Sequence, residues 1–509
     1  MAKKGDRITV KSATSDVSYQ YVWTDTPPSG AMKEVYFSPD KSYVVAFFKH
    51  PQGVNDVERT VDLVGVYRKR VFEQVGGEYW KRIFCWPYDY VKEGDRIGLV
   101  MPVYESHYFF AHDGPVIETK GLEKEGKWFT SPVHHFSYLN KKDIGDWRSY
   151  FNICLLLARG VRRLHMAGLA HSDLSYKNVL VDPVTQTATI IDIDGLVVPG
   201  KYPPEVLGTP DFIAPEVYET MALPKERRKL PCQQTDRHAL AVLIYMYLLY
   251  RHPLRGRKIW DCDDEQRDER LSMGEKALFI ESRVDRCNRY DVEWVKSNNP
   301  PSKVKFMLPW MDLDKLPYTI LGPYLSPLVA QAFEKGLHSP NDRPTADAWE
   351  DAIVKTMDLL QPCSNPKCTQ RWFVFDNTTE PRCPFCGTRY TDPLPVLNLY
   401  QAYGSTYRPS GWRVMVFNGT RIYPWHVHPD LMPGEKLSEE QKKSVAYFQF
   451  HNGKWYVRNE RAAGMKNLSA QALMPLGMPV ALKDGMQILL DGPGTRMAYV
   501  QMVNGKRGV

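Results

Sequence analysis

The feature that most constrains this sequence is a series of three short strings between residues 171 and 216. They read HSDLSYKN at 171–178, IIDIDG at 190–195 and GTPDFIAPE at 208–216. In the first string Asp173 and Asn178 lie five residues apart, and an apolar pair leads to Asp192 fourteen residues later. A fold that this chain adopts must place the three strings in this order and at this spacing, and few folds do so.

The three strings resemble the catalytic loop, the metal-binding segment and the end of the activation segment of protein kinases, in that order. The resemblance implies that Asp173 orients the substrate hydroxyl and accepts its proton, and that Asn178 holds a magnesium ion. Asp236 resembles the family's structural aspartate, and Arg343 resembles the arginine that pairs with Glu216. A strand-rich segment precedes a mainly helical one, so the implied fold class is α+β, a bilobal protein kinase fold.

Two aspartates are candidates for the carboxylate that would hold the metal ion. Asp192 directly follows the apolar pair and is preferred, with Ile193 where the family has phenylalanine. Asp194 lies next to Gly195 and is the alternative register. In either register the resemblance implies that Mg²⁺, or Mn²⁺, is bound by Asn178 and an aspartate of this string.

The catalytic loop departs from the common kinase pattern at two positions. Ser172 stands where many kinases have an arginine that binds a phosphate on the activation loop, so we expect activity without phosphorylation of that loop. Ser175 replaces the lysine that contacts the γ-phosphate, and Lys177 could supply that charge from two positions later. Thr209 and its following proline favour serine or threonine as the acceptor. We expect transfer of the γ-phosphate of ATP to a protein hydroxyl.

Two residues are candidates for the lysine that binds the ATP phosphates. The usual third-strand pattern is V-A-x-K, but VAFFK at 45–49 places Phe48 at the lysine position and turns Lys49 to the other face. Kinases of the with-no-lysine type carry this lysine on the second strand, and GAMKEVY at 30–36 has that spacing. Lys33 is therefore preferred over Lys49. Gly30 is the one glycine left in the phosphate loop, so fewer backbone amides can approach the phosphates.

The apolar segment 97–104 predicts the strand that leads to the hinge between the lobes. Met101 is then expected near the gatekeeper position, with Val103 and Tyr104 against the adenine; packing in the core would explain the same residues. The carboxylate that pairs with the phosphate-binding lysine is open, and Asp62 and Glu73 are the candidates.

Four of the nine cysteines cluster near residue 370, as Cys363, Cys368, Cys383 and Cys386. Two pairs of thiolates at this spacing suit a tetrahedral Zn²⁺, and the module resembles a zinc ribbon. All four ligand positions are filled, so we expect a structural zinc; redox-active thiols are the alternative. The remaining cysteines are scattered, which favours a reducing cytoplasm over a disulfide framework.

After residue 395 the sequence changes to alternating strands separated by turns such as Asn418-Gly419. Residues 395–505 resemble a forkhead-associated domain, because KWYVRN at 454–459 and LKDGMQIL at 482–489 match two of its strand patterns. Such domains usually bind phosphothreonine, but the phosphate-binding positions here depart from the pattern. We expect an all-β sandwich with a role in protein docking.

The predicted organisation is a kinase domain at 15–358, a zinc ribbon at 359–392 and the β-sandwich at 395–505. The boundary between the N-lobe and the C-lobe is expected at about residue 104. The net charge is +7, from 66 basic and 59 acidic residues, and the basic residues are spread along the chain. The longest apolar run, 239–250, is too short to cross a bilayer. We expect a cytoplasmic protein that binds neither nucleic acid nor a membrane.

Together the kinase strings, the zinc ribbon and the forkhead-like tail resemble a family of bacterial kinases from tellurite-resistance-like stress operons. The resemblance implies two partners, a von Willebrand factor A-type protein as substrate and a PP2C-type phosphatase. Two other functions remain open. The first is a pseudokinase scaffold, which the poor glycine loop and displaced lysine favour and the intact Asp173, Asn178 and Asp192 oppose. The second is an adaptor whose zinc and β modules carry the main role.

Overall fold

The computed structural model describes residues 3–30, 32–73, 76–204, 207–376, 381–404 and 406–503. The chain divides into two compact units. The first comprises Met1–Gly145, Asn152–Trp310 and Ala330–Asp347, and the second comprises Asp146–Phe151, Met311–Val329 and Ala348–Val509. The segment predicted as the kinase domain therefore contributes to both units. The last two residues of the predicted β-sandwich, 504 and 505, lie outside the described residues.

The amino-terminal part of the first unit is built on a four-stranded antiparallel sheet. Its strands are rich in β-branched and aromatic residues, which suit a pleated, half-buried surface. This part of the chain contains six strands: β1 (Arg7–Lys11), β2 (Ser18–Val22), β3 (Lys33–Phe37), β4 (Tyr43–Phe48), β5 (Asp89–Glu93) and β6 (Arg96–Pro102). The sheet order is β3-β4-β6-β5, and β1 and β2 form a separate hairpin. Val10 of β1 is buried in one cluster with Val45 and Val100 of the sheet, so the lobe begins before residue 15.

A helical stretch lies between β4 and β5, as the spacing of its valines predicts. It consists of α1 (Val54–Asp62), a π-helical turn (Leu63–Tyr67) and α2 (Arg68–Phe72), and α3 (Gly77–Lys81) follows. Val57 and Val64 of this stretch pack against the buried cluster that contains the sheet residues Val44 and Ala46. The stretch therefore covers one face of the sheet.

The segment from residue 147 to 357 is mainly helical. Its helices are α4 (Trp147–Met166), α5 (Pro215–Thr220), α6 (Gln233–Leu249), α7 (Glu265–Met273), α8 (Val292–Ser297), α9 (Pro301–Met307), α10 (Gly322–Ala330) and α11 (Ala346–Met357). One antiparallel hairpin, β7 (Val179–Asp182) and β8 (Thr187–Ile190), interrupts the helices. Every residue of α6 from Ala239 to Leu249 is buried, as expected for its apolar run. In the described part of the chain, no helix is both long and apolar enough to span a membrane.

The second unit contains two antiparallel sheets after the cysteine cluster. Its strands are β9 (Leu360–Pro362), β10 (Trp372–Val374), β11 (Leu394–Tyr403), β12 (Thr406–Met415), β13 (Arg421–Ile422), β14 (Ala446–His451), β15 (Lys454–Asn459), β16 (Lys466–Asn467), β17 (Ala472–Leu473), β18 (Pro479–Ala481), β19 (Gln487–Leu489) and β20 (Met497–Val503), with one short helix, α12 (Pro424–Val427). The sheet orders are β12-β11-β20-β19-β16-β17 and β13-β14-β15-β18. Both sheets contribute buried apolar side chains, among them Leu397, Val500, Phe448 and Val457. The expected all-β character of this segment agrees with the structure.

A buried ion pair ties the start of α5 to the chain just before α11. Arg343 Nη1 and Nη2 donate to the two carboxylate oxygens of Glu216 at 2.8 and 2.7 Å. The guanidinium also donates to the carbonyls of Gly336, Leu337 and Gln234. Its side chain is 1% exposed. The pairing predicted from the sequence is confirmed.

Replacing Arg343 with alanine should lower the free energy of unfolding of the first unit by about 3 kcal/mol or more, because Glu216 loses its buried partner. Lys335→Ala is the matched control, since its pair with Asp342 is exposed (70% and 42%) and should cost about 1 kcal/mol or less. Urea unfolding of both variants measures the difference. Equal losses for the two variants would contradict this prediction.

Candidate active site

A buried carboxylate holds the backbone at the start of the 171–178 loop. Asp236 on α6 is 1% exposed and accepts hydrogen bonds from the N–H groups of His171 (2.8 Å) and Ser172 (3.2 Å). Asp236 Oδ2 also lies 3.1 Å from His165 Nε2. Ser172 has φ +69°, a left-handed conformation that non-glycine residues rarely adopt. The two hydrogen bonds therefore stabilise a strained turn directly before Asp173.

Hydrogen bonds orient the carboxylate of Asp173. Thr209 donates to Asp173 Oδ1 from its N–H at 2.6 Å and from its hydroxyl at 2.8 Å. Asn178 Nδ2 donates to Asp173 Oδ2 at 2.9 Å and to the Asp173 carbonyl at 2.7 Å. Because Nδ2 makes both bonds, the Asn178 Oδ1 acceptor remains available to a metal ion. No local pattern in the sequence predicts the contact between Thr209 and Asp173.

A largely buried lysine joins the two aspartates of the IIDIDG string. Lys33 Nζ lies 2.5 Å from Asp194 Oδ1 and 3.5 Å from Asp192 Oδ1. The side chains of Lys33 and Asp194 are 14% and 17% exposed, whereas Asp192 is 57% exposed. Burial alone would lower the pKa of Lys33, but the charges of Asp194 and Asp192 outweigh burial and raise that pKa above its ordinary value. Lys33 is therefore a fixed positive charge at neutral pH.

The register of β3 and β4 explains why this lysine comes from β3. Lys33 stands opposite Phe48, and its Nζ lies 5.8 Å from the centre of the Phe48 ring. Phe48 occupies the V-A-x-K lysine position and is buried in the core. Lys49 is exposed, and its Nζ donates to the carbonyl of Gly30 at 2.6 Å. The structure thus brings Lys33, and not Lys49, to the aspartates.

The two candidate carboxylates of the first helical stretch lie elsewhere. Asp62 Oδ2 accepts hydrogen bonds from Lys201 Nζ at 2.5 Å and from the Tyr202 hydroxyl at 2.8 Å. Glu73 follows the last residue of α2 and is exposed. Among the described residues, the acidic partners of Lys33 within 4 Å are the two aspartates above. The ion pair between the lysine and a carboxylate of the first helix, expected from the sequence, is therefore absent there.

The predicted adenine-side residues lie in one apolar cluster. Met101 of β6 is buried in it, and Val103 and Tyr104 pack against it with partial exposure. Ala46 of β4 and Leu180 of β7 belong to the same cluster, so residues from both the sheet and the helical segment contribute. Such a cluster offers an apolar surface to a planar base.

Lys177 differs from the other predicted site residues because its side chain is exposed. Within the described ranges it forms no ion pair, so its charge remains available to a phosphate or an acidic group. Ser175 is buried instead, and its Oγ lies 3.2 Å from Thr209 Oγ1, which can accept the Ser175 hydroxyl proton because its own proton is donated to Asp173. The structure therefore leaves Lys177 at the rim of the loop.

The four clustered cysteines of the second unit form a site that fits a zinc ion. Their sulfur atoms all lie within 4.8 Å of one another. Cys363 Sγ is 3.5 Å from Cys386 Sγ, and Cys368 Sγ is 3.9 Å from Cys383 Sγ. Four sulfurs bound tetrahedrally at about 2.3 Å from Zn²⁺ are about 3.8 Å apart, so these distances suit the ion. All four ligand positions are filled by protein, which is typical of structural zinc.

Residues 129–348 match the family model of the protein kinase domain. The match includes all three strings, together with Asp236 and Arg343. Residues 129–348 are therefore similar to protein kinase domains, and the match supports the kinase fold predicted from the strings over this range. Lys33 and the amino-terminal sheet lie outside the matched residues.

Comparison with curated proteins finds no match to the chain. Similar solved structures include Toxoplasma gondii ROP2, described as a virulence factor with a protein-kinase fold and no enzymatic activity, at TM-score 0.37 and 15% identity over 69% of this chain and 83% of that chain. A Toxoplasma gondii rhoptry antigen kinase domain has TM-score 0.35 and 16% identity over 55% of this chain and 82% of that chain. At these TM-scores neither likeness bears on the activity of this chain.

Lys33→Met should weaken ATP binding by about tenfold or more, because one buried charge next to the phosphates is worth at least about 1.4 kcal/mol. Lys49→Met is the matched control and should change the dissociation constant less than about twofold. Isothermal titration with ATP and Mg²⁺ measures both constants. A larger loss for Lys49→Met than for Lys33→Met would reverse this assignment.

Purified protein should contain about one zinc per chain, and Cys386→Ser should lose most of it, because three thiolates bind zinc less tightly than four. Cys262→Ser is the control, since this exposed thiol lies outside the cluster. Elemental analysis after dialysis measures the zinc content. Full zinc retention by Cys386→Ser would argue against a four-cysteine site.

Proposed function

We propose that this chain is a serine/threonine protein kinase that uses ATP. The supporting observation is that hydrogen bonds join the loop of Asp173 to the segment of Asp192. The Ile191 N–H donates to the Asn178 carbonyl at 3.0 Å, and the Ile191 carbonyl lies 2.9 Å from His171 Nε2. These contacts hold the loop of Asp173 beside the segment of Asp192, which contacts Lys33. The segments of Asp173 and Asp192 are therefore joined by hydrogen bonds, and Lys33 is joined to Asp192 and Asp194 by ion pairs of its side chain, which supports their roles as base, metal ligand and phosphate-binding cation.

In the proposed reaction the acceptor hydroxyl forms a bond to the γ-phosphorus of ATP, and the bond from that phosphorus to the bridging oxygen breaks to release ADP. The hydroxyl proton moves to the Asp173 carboxylate, which Thr209 and Asn178 hold in place. Lys33 supplies positive charge to the phosphates. Mg²⁺, when bound, would neutralise charge on the phosphates, and Asn178 and Asp192 are the residues that would hold it.

We assign different roles to the two neighbouring aspartates. Asp192 is 57% exposed and has φ +54°, a conformation that is enriched at functional sites when a non-glycine residue adopts it. We assign it the metal. Asp194 is largely buried against Lys33, and we assign it the task of orienting that lysine, which a carboxylate of the first helix would otherwise perform.

For the second unit we propose a forkhead-associated-like sandwich that docks partner proteins. Arg421 Nη1 donates to Ser444 Oγ at 2.8 Å and lies 3.1 Å from Glu460 Oε1, and Ser444 also donates to Glu460. The carboxylate of Glu460 thus already binds the guanidinium of Arg421 and the hydroxyl of Ser444 at this end of the sheet. That arrangement supports docking without recognition of a phosphate.

The biological setting that we propose is a bacterial stress-response phosphorylation system. Its support is the sequence resemblance of the kinase strings, the four-cysteine module and the β tail taken together. In that setting a von Willebrand factor A-type protein would be the substrate, and a PP2C-type phosphatase would oppose the kinase. Phosphorylation of such a protein encoded beside this chain would test the proposal, and its absence with an active kinase would refute it.

Asp173→Asn should lower the rate of Mg²⁺-dependent autophosphorylation by about 10²-fold or more, because the amide cannot accept the hydroxyl proton. Asp95→Asn, at an exposed turn, is the control and should leave the rate unchanged. Incorporation of radioactive phosphate from ATP measures both rates. If the wild type transfers no phosphate, or if Asp173→Asn transfers it equally well, the pseudokinase scaffold becomes the better description.

A further inference from the structure

The activation segment, residues 192–216, carries two hydroxyl side chains, Tyr202 and Thr209. Both are buried, at 3% and 8% exposure. Thr209 already donates to Asp173, as described above. The Tyr202 hydroxyl donates to Asp62. Neither hydroxyl is therefore free to accept a phosphate. Contacts other than those of a phosphate must hold this segment in place.

That interaction is a set of contacts between α1 and residues 201–203. Asp62, the last residue of α1, accepts hydrogen bonds on one oxygen from Lys201 Nζ and from the Tyr202 hydroxyl, at 2.5 and 2.8 Å. One turn earlier on the same helix, Arg59 Nη2 donates to the carbonyl of Pro203 at 2.6 Å. The Arg59 guanidinium also lies 5.7 Å from the centre of the Tyr202 ring. A carboxylate and a guanidinium of α1 thus bind adjacent residues of the segment.

The same segment is anchored at its other end to the catalytic loop. Tyr202 and Val198 exchange backbone hydrogen bonds at 2.9 and 3.1 Å, which close a tight hairpin. Val197 and Ala170 do the same at 2.8 and 3.0 Å. Ala170 directly precedes His171 and the loop that carries Asp173. A continuous chain of hydrogen bonds therefore runs from α1 through Tyr202 to the catalytic loop.

We propose that Asp62, Tyr202 and Lys201 form a latch that positions α1 and the activation segment for catalysis without phosphorylation. The proposal rests on the proposed kinase function, and it assigns positioning roles because none of the three residues contacts Lys33, Asp173 or Asp192 within the described ranges. In many kinases a phosphate on the segment supplies the negative charge for such contacts. Here the carboxylate is built into the helix, and the segment supplies the cation and the hydroxyl.

The charges of the latch match its geometry. Burial of Asp62 would raise its pKa, but the hydrogen bonds from Lys201 and Tyr202 outweigh burial and lower that pKa below its ordinary value. The carboxylate is therefore ionised when it binds the segment. A hydrogen bond to a charged group is stronger than one between neutral groups. Removing the Tyr202 hydroxyl should therefore remove a measurable part of the free energy by which the latch is stabilised.

Tyr202→Phe removes the hydroxyl and keeps the ring, and Tyr88→Phe is the matched control, because the Tyr88 hydroxyl makes no hydrogen bond among the described residues. We expect Tyr202→Phe to lower the maximal autophosphorylation rate about tenfold and to change the half-saturating ATP concentration less than about twofold, since Lys33 is untouched. Asp62→Asn should have a similar effect, and the double variant should be no worse than either single variant. Treatment of the wild type with a phosphatase before the assay should leave its rate unchanged.

Hydrogen exchange provides a readout that does not need catalysis. In Tyr202→Phe the amides of residues 54–72 and 196–204 should exchange faster, while those of α6 keep their protection. The latch would be overturned if Tyr202→Phe showed the same hydrogen exchange and the same autophosphorylation rate as the wild type. Loss of wild-type activity after phosphatase treatment would also overturn it. If the wild type has no kinase activity, faster exchange confined to the two segments would still support the latch, and unchanged exchange would refute it.

Discussion

The buried carboxylate of Asp236 is the interaction on which the rest of the site depends. A carboxylate at 1% exposure would be costly without donors, and the amides of His171 and Ser172 are two of the donors that satisfy it. They can do so because Ser172 adopts a left-handed conformation, which turns the chain sharply before Asp173. The His171 ring then reaches the carbonyl of Ile191. One buried charge therefore fixes both the loop that carries Asp173 and the segment that carries Asp192.

Much of this site could be predicted because its chemistry is local in sequence. Asp173, Asn178 and Asp192 lie in strings whose spacing is set by one loop and one short strand, and the protein kinase family model matches the residues around them. Strand alternation favours Lys33, because it puts Phe48 inside at the usual lysine position. The structure brings Lys33 to the aspartates by the same alternation. The cysteine cluster was equally local, since each pair of ligands lies within six residues.

The remainder depends on pairs that are distant in the chain and leave no local signal. Asp62 was a candidate partner for Lys33, but it binds Lys201 and Tyr202, which lie 139 and 140 residues away. Nothing in the sequence around Asp62 distinguishes these two uses of a helix carboxylate. The contact of Thr209 with Asp173, across 36 residues, depends on tertiary packing in the same way. Periodicity and motif spacing report the local structure, and they do not report which distant polar groups meet.

The use of Asp62 in the latch has a consequence for the charge of the site. Lys33 faces two carboxylates, so these three side chains together carry one net negative charge. Asp194 satisfies the lysine at close range, and the more exposed Asp192 keeps most of its charge for a ligand from solvent. Asp192 would hold a divalent cation here, which would neutralise charge on the phosphates of ATP, and Lys33 would supply further positive charge to them. A further carboxylate from α1 would have competed for the same lysine. Because Asp194 already pairs with Lys33, Asp62 of α1 is left to bind Lys201 and Tyr202 of the activation segment, so the local partner of the lysine and the contacts of the helix carboxylate are explained together.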